Sequence, residues 1–443
     1  MTSKAAARRS RSAAVALLAI GALLAAACGP SNPSGAPSNA ATPAATDVAE
    51  SGAPSGSAPP SATASGDAAA VYDAVEQQVI AIRGLQPKHP VDRQLIDETE
   101  LRTMITQQFD TDAPPAYVAA TERLYKALNL IPATSSLRML SLDLLSGGVA
   151  GFYRNDQGKL YIVSKTGTPG AAERLYFAHE YDHALQDQNS TIFKDFDKVL
   201  DQSDQLLARQ SIYEGDATLL MTEWAKDNLD QAGLLEVLRA SNDPAAQEVM
   251  NRTPAILRET LTFPYTTGLT DVSAVQASGG WAAVNAYFTA MPRSTEQIIH
   301  PEKYTAGEMP VAVTLPADLA TRLGAGWSVP LEDTFGEFQL GIWLRENGVA
   351  PADALKAAAG WGGDRLAIME GPGGAWAIAL HTEWDTDADA AEFQTAAKTA
   401  LGKAGGVGAL ISRTGGGGKT RWIIVANAGA TVSRIKTALA IGE

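Results

Sequence analysis

The chain has 443 residues, 45% hydrophobic and 19% charged, enough for two folded domains with non-globular segments besides. Its formal net charge of −14 sets it against phosphate backbones and anionic membrane surfaces, so no nucleic acid partner is expected. Cys28 is the one cysteine, which leaves no disulfide framework and no Cys-based structural zinc; a metal site must use His and carboxylates.

Residues 1–12 are basic through Lys4, Arg8, Arg9 and Arg11, and Ala13 to Ala27 is an apolar run ending in small residues. That is the order of a secretory signal peptide over residues 1–27, and the run is shorter than the about 20 residues of a membrane span. Leu24-Ala25-Ala26-Ala27-Cys28 resembles a bacterial lipoprotein signal, although Ala25 stands where that pattern has Leu. The resemblance implies cleavage before Cys28, a lipid on its sulfur, and a protein anchored to the cell membrane on its extracytoplasmic side. Residues 28–70 are nearly all Gly, Pro, Ser, Ala, Thr and Asn beyond the Cys. They hold too little apolar surface to offset the entropy of ordering, and read as a flexible tether.

A first folded domain is expected over residues 71–330. Val71, Val75, Val79 and Ile82 have helical spacing ending at Gly84; Asp97–Phe109, Pro115–Leu128 and Ser135–Leu145 read as further helices. The period then changes to two, and strands at 149–153 and 160–163 flank Asn155-Asp156-Gln157-Gly158 as a hairpin. A helix follows from Ala171 to about Gln188 and carries His179-Glu180-Tyr181-Asp182-His183. Histidines at i and i+4 project from one helix face, and the intervening Glu can reach a water on the same ion, the logic of the H-E-x-x-H zinc motif. Two of the chain's five His take this spacing. Asp187, one turn after His183, is expected to orient a ligating ring or else to face solvent.

A catalytic zinc needs a third protein ligand, and no third His follows at close spacing. The helical stretch from Asp201 to Asn228 holds Tyr213-Glu214-Gly215-Asp216-Ala217, whose small residues allow a close helix approach; Glu214 is the expected ligand, with Glu223 in reserve. Tyr-Glu-Gly-Asp-Ala resembles the glutamate-ligand segment of the gluzincins. Taken with His179 to Gln188 and Pro292-Arg-Ser-Thr-Glu-Gln-Ile-Ile-His-Pro-Glu-Lys-Tyr304, it is similar to a family of uncharacterised gluzincin-like bacterial peptidases over about residues 71–350. The resemblance implies a zincin-like fold and zinc on His179, His183 and Glu214. Glu180 would be the general base, and a peptide or protein the substrate. Zincins place an edge strand before the metal helix, so the hairpin's second strand is the expected peptide-pairing edge, or else only a cover for the core. Asp216 is a candidate support for the ligands, though not four residues after the Glu. His300 or Tyr304 could hydrogen-bond the oxyanion of the reaction, or simply cap and orient helices.

The remainder, residues 331–443, reads as a small α+β domain: a helix from Glu332 to Asn347, strands at 364–369, 375–384 and 422–426, and two more helices. Gly415–Thr420 imitates a phosphate loop but has Arg413 in place of the first Gly and a strand after it. Asp385, Asp387 and Asp389 imitate a calcium loop, yet Ala390 and Ala396 replace its Gly and Glu. The expectation is an α+β protein: a mainly helical zincin-like domain with a short sheet before its metal helix, and a C-terminal α+β unit. Its expected work is zinc-dependent peptide hydrolysis outside the cytoplasm. The alternative is an envelope lipoprotein that keeps a metal or peptide site without catalysis.

Overall fold

The computed structural model describes residues 66–146, 151–163, 169–196, 198–412 and 418–441. The expected signal peptide, Cys28, the expected tether up to residue 65 and most of the glycine-rich run before Lys419 lie outside them.

Helix α1 (Gly66–Arg83) buries Tyr72, Val75 and Val79, one helical stripe, and begins inside the segment expected to be tether. Strand β1 (Asp92–Ile96) was not foreseen, because Asp-Arg-Gln-Leu-Ile is too polar to read as a strand; tertiary pairing makes it one. Helix α2 (Glu98–Asp112) starts at a capping box of Asp97 and Glu100. Helix α3 (Pro115–Ala127) opens on a proline at its first position, and α4 (Leu137–Ser146) follows. Strands β2 (Gly151–Arg154) and β3 (Lys159–Val163) form the expected hairpin.

The sheet order is β1-β3-β2, with β3 parallel to β1 and antiparallel to β2. This corrects the expected edge. The hairpin's second strand has both flanks paired, and the free edge facing the H-E-x-x-H helix belongs to β2.

The H-E-x-x-H motif lies on α5 (Ala171–Asn189), which is buried on almost every side. Short α6 (Ile192–Phe196) leads to α7 (Ser203–Asn228), which packs along α5. Helices α8 (Gln231–Ser241) and α9 (Pro244–Arg252) precede α10 (Ala255–Phe263), which runs through a π-helical turn, Pro264–Gly268, into α11 (Leu269–Tyr287). Pro264 has no N–H to give to the α ladder, and the wider turn absorbs the defect. Helices α12 (Thr295–Ile299) and α13 (Pro301–Thr305) then bridge to the C-terminal unit.

That unit comprises α14 (Leu319–Leu323), β4 (Ser328–Asp333), α15 (Gly336–Glu346), α16 (Pro351–Ala358), β5 (Trp361–Glu370), β6 (Trp376–Trp384), α17 (Asp387–Leu401), β7 (Val407–Ser412), β8 (Thr420–Ala426) and α18 (Gly429–Ala438). Its antiparallel sheet has the order β4-β5-β6-β8-β7. The expected helix from Glu332 is cut short because Glu332 and Asp333 belong to β4, an edge strand that tolerates Pro330. Strand β4 and the preceding α14 pack with this unit. One sheet face, with Leu366, Ile368, Ile378, Leu380, Ile423 and Val425, packs under α15 to α17 and also under Leu124 of α3 and Ile256 of α10. The other face packs on α14 and α18. The three aspartates do not form a loop site: Thr386 caps α17, Asp387 and Asp389 fill its first turn, and Asp385 accepts from Lys303. The architecture is α+β. Among the described residues no helix is long and apolar enough to cross a membrane.

Candidate metal centre

Gly170 and Glu173 start α5, the Glu side chain accepting the Gly170 N–H at 3.2 Å. Two turns on, both histidines turn inward against α7. His179 Nε2 lies 3.1 Å from His183 Nε2 and 3.2 Å from Glu214 Oε2, and the third side, His183 Nε2 to Glu214 Oε2, is 3.3 Å. A tetrahedral zinc with bonds of about 2.0–2.1 Å separates its ligand atoms by about 3.3–3.4 Å. The three atoms thus mark one face of such a tetrahedron. Glu223, the reserve ligand, is instead half-exposed and bonded to Gln276.

The outer partners fix the tautomer of His183. Its Nδ1 is 2.9 Å from Gln186 Oε1, while Gln186 Nε2 donates to Asp182 Oδ2, the Tyr213 carbonyl and Asp216 Oδ2 at 3.1, 3.1 and 2.9 Å. Three acceptors around the amide nitrogen assign its orientation, so the oxygen faces His183 and takes the Nδ1 proton. The Nε2 lone pair is left for the metal side. Behind Gln186, Arg83 is buried: its Nη2 is 3.0 Å from Asp216 Oδ2, its Nε 3.6 Å from Asp182 Oδ1, and its guanidinium lies over Trp281. Asp216 is thus linked to His183 through Gln186. Burial and the neighbouring Asp216 push the Asp182 carboxyl up to about 8, and its Oδ1 faces Arg83.

Asp187 does not take the place expected for it. It accepts from the Tyr153 hydroxyl at 2.8 Å, because Nδ1 of His183 points toward position 186 and not toward 187.

Electrostatics mark the triad as a seat for positive charge. Burial would raise Glu214, but His183 and hydrogen bonds to both imidazoles outweigh it and bring the carboxyl down to about 2. Burial would lower His183, yet Glu214 takes it up to about 9, while burial holds His179 down. In chemical terms, a proton on one ring does for Glu214 what a divalent cation would do for all three groups. Glu214 Oε1 and the Tyr265 hydroxyl are buried without hydrogen-bond partners among the described residues. Buried orphans of this kind, beside a nitrogen–carboxylate triad, suit a metal and its substrate. The residues fit zinc.

Glu180 sits beside them, its carboxylate within 4.8 Å of the two imidazole nitrogens. Its Oε2 accepts the Tyr153 N–H of β2 at 2.9 Å. Burial pushes the Glu180 carboxyl up to about 8 against the pull of His183.

Tyr265 is the residue that motif reading passes over. Its ring lies 6.2 Å from that of His179 at 27°, and its hydroxyl is near Glu214 without closing a hydrogen bond of normal geometry. Two glycines bring it there: a Cβ on Gly268 would stand 2.3 Å from the Ser211 carbonyl oxygen, and one on Gly215 would stand 2.6 Å from Gly268. A Pro and a Gly four apart inside a helical stretch were the signal for this close crossing.

His300 and Tyr304 are committed elsewhere. His300 Nε2 lies 3.0 Å from Glu337, and the Tyr304 hydroxyl donates to the Ala290 carbonyl at 2.6 Å. Their segment is a junction: Lys303 sits among Glu296, Glu308 and Asp385, and Thr295 bonds Asp204.

A domain family described as a domain of unknown function, DUF8575, matches residues 322–437, the C-terminal unit, and leaves the metal centre outside. No curated protein and no solved structure matches the chain.

Proposed function

We propose that the chain is an exported, lipid-anchored, zinc-dependent peptidase of the gluzincin type. The observation that carries this reading is the triangle of His179, His183 and Glu214 ligand atoms with Glu180 beside it. When bound, zinc would polarise a substrate carbonyl and lower the pKa of a water. Glu180 would accept the proton of that water, its second oxygen held still by the Tyr153 N–H, and later deliver it to the leaving amine. The Tyr265 hydroxyl, buried and free to donate, would hydrogen-bond the carbonyl oxygen as charge develops on it. The free edge of β2 is where an extended peptide would lie.

Metal analysis of the purified chain beside a peptide-library digest, with the wild type and Glu180→Gln, tests the proposal. The expected result is one zinc per chain in both and cleavage only in the wild type, with a loss of about 10²–10⁴-fold in the variant. Full zinc occupancy with no peptide cleaved would replace it by a non-catalytic metal-holding lipoprotein, a reading that the near-complete burial of the three ligands favours.

A further inference from the structure

On the far side of Gln186 from His183, a cavity of about 1150 Å³ opens between the end of α1, the end of α5, α7 and the segment 288–309. Its charge is opposite to that of the chain, whose net charge is −14. Lys88, Lys198, Arg209 and Arg293 line it, and Asp195 is the only carboxylate among its described lining residues. That carboxylate is already engaged, by Lys198 at 2.5 Å and by the Thr191 hydroxyl at 2.7 Å. Arg83, at the floor, is held by Asp216 and Asn285.

Arg209 is left short of partners. Its Nη1 donates to the Asp195 carbonyl at 2.5 Å, but its Nε is buried with no hydrogen-bond partner among the described residues. Burial lowers its basicity, Asp195 opposes that, and Arg293 lowers it further, which places two guanidinium groups within electrostatic reach of each other. A dry N–H donor beside a like charge is unfavourable unless an anion completes the arrangement. Leu85, Phe288 and Met291 share the lining. The volume exceeds the range of about 300–1,000 Å³ usual for small-ligand pockets. A compact inorganic anion would leave most of this space and its apolar wall without contact.

We propose that this cavity binds an acidic peptide segment, its carboxylates meeting Arg209, Arg293 and Lys88 and its apolar side chains meeting Phe288 and Met291. The site adjoins the candidate metal centre through Gln186 and Arg83, but the proposal does not rest on the peptidase reading.

Fluorescence anisotropy of the full chain with a labelled hexapeptide of alternating Glu and Leu tests it, against the same peptide with Gln for Glu. The Glu peptide should bind about tenfold tighter or more, with affinity falling as salt rises. Arg209→Gln combined with Arg293→Gln should remove that advantage. Arg293→Gln alone should reduce it, and its exposed side chain makes the single variant safe for folding, checked by melting temperature. Equal affinity for both peptides, or unchanged affinity in the variants, overturns the proposal. Displacement of the peptide by inorganic phosphate at micromolar concentration would overturn it in favour of a small-anion site.

Discussion

Asp364 in the C-terminal unit and Glu214 in the metal centre are both buried carboxylates on core elements, and their surroundings differ in kind. Asp364 accepts the N–H groups of Phe335 and Gly336, each at 2.7 Å, and the indole N–H of Trp361 at 2.9 Å. It closes the first turn of α15, where free backbone donors and the helix dipole favour an anion. Glu214 instead faces two imidazole nitrogens with one oxygen, and leaves the other without a partner. A carboxylate that the fold needs is surrounded by fixed donors, whereas one kept for a cation is surrounded by lone pairs. The sheet around Asp364 is mostly apolar on both faces, with its buried polar side chains Asp333, Thr382, Thr420 and Arg421 spread over three strands, while α5 and α7 bury His179, His183, Asp182, Asp216 and Gln186 together. The second arrangement costs stability, and that cost is the sign of a site.

The contrast breaks most sharply on Glu214→Gln. Zinc affinity, followed by competition with a chelating dye, should fall by more than the about 100-fold that loss of an outer partner costs, with the fold intact. Unchanged zinc content would remove Glu214 from the ligand set. Asp364→Ala should do the reverse: three buried donors lose their acceptor, so denaturant unfolding should show a loss of about 2–3 kcal/mol while zinc stoichiometry stays at the wild-type value. Loss of zinc in this variant would erase the distinction between the two regions. Gln186→Leu should weaken zinc by about 10–100-fold, because His183 loses the partner that sets its tautomer.

The smallest effect concerns pH. Burial pushes Asp204 from the ordinary 3.8 up to about 7, against hydrogen bonds from Thr295. The folded chain then holds a proton that the unfolded chain releases, so this group's contribution to stability is present below about pH 4 and is lost as pH rises through 7. Asp204→Asn should flatten the melting temperature over that interval; an unchanged slope would show that other acids dominate.

The metal motif was legible because its geometry is local: i and i+4 on a helix can be read from spacing alone. Glu214 was legible through the small residues around it. Gln186 and Arg83 were not, since the choice between positions 186 and 187 depends on which way a ring nitrogen points, and Arg83 reaches Asp216 across 133 positions. Strands β1 and β7 were missed because one is polar and the other rich in small residues; neighbours, not propensity, make them strands. His300 and Tyr304 attracted attention as chemistry-bearing side chains, but a segment that joins two bodies also needs polar contacts, and that is the role they take.

The core that α3 shares with the C-terminal sheet has a consequence for biogenesis. Leu124 shares this core with Ile368 and Ile423, which follow it in the chain by about 240 and 300 residues. During synthesis the apolar side of α3 first meets Leu137 at the start of α4 and later Ile256 of α10, and this shared core closes only when the sheet has been made.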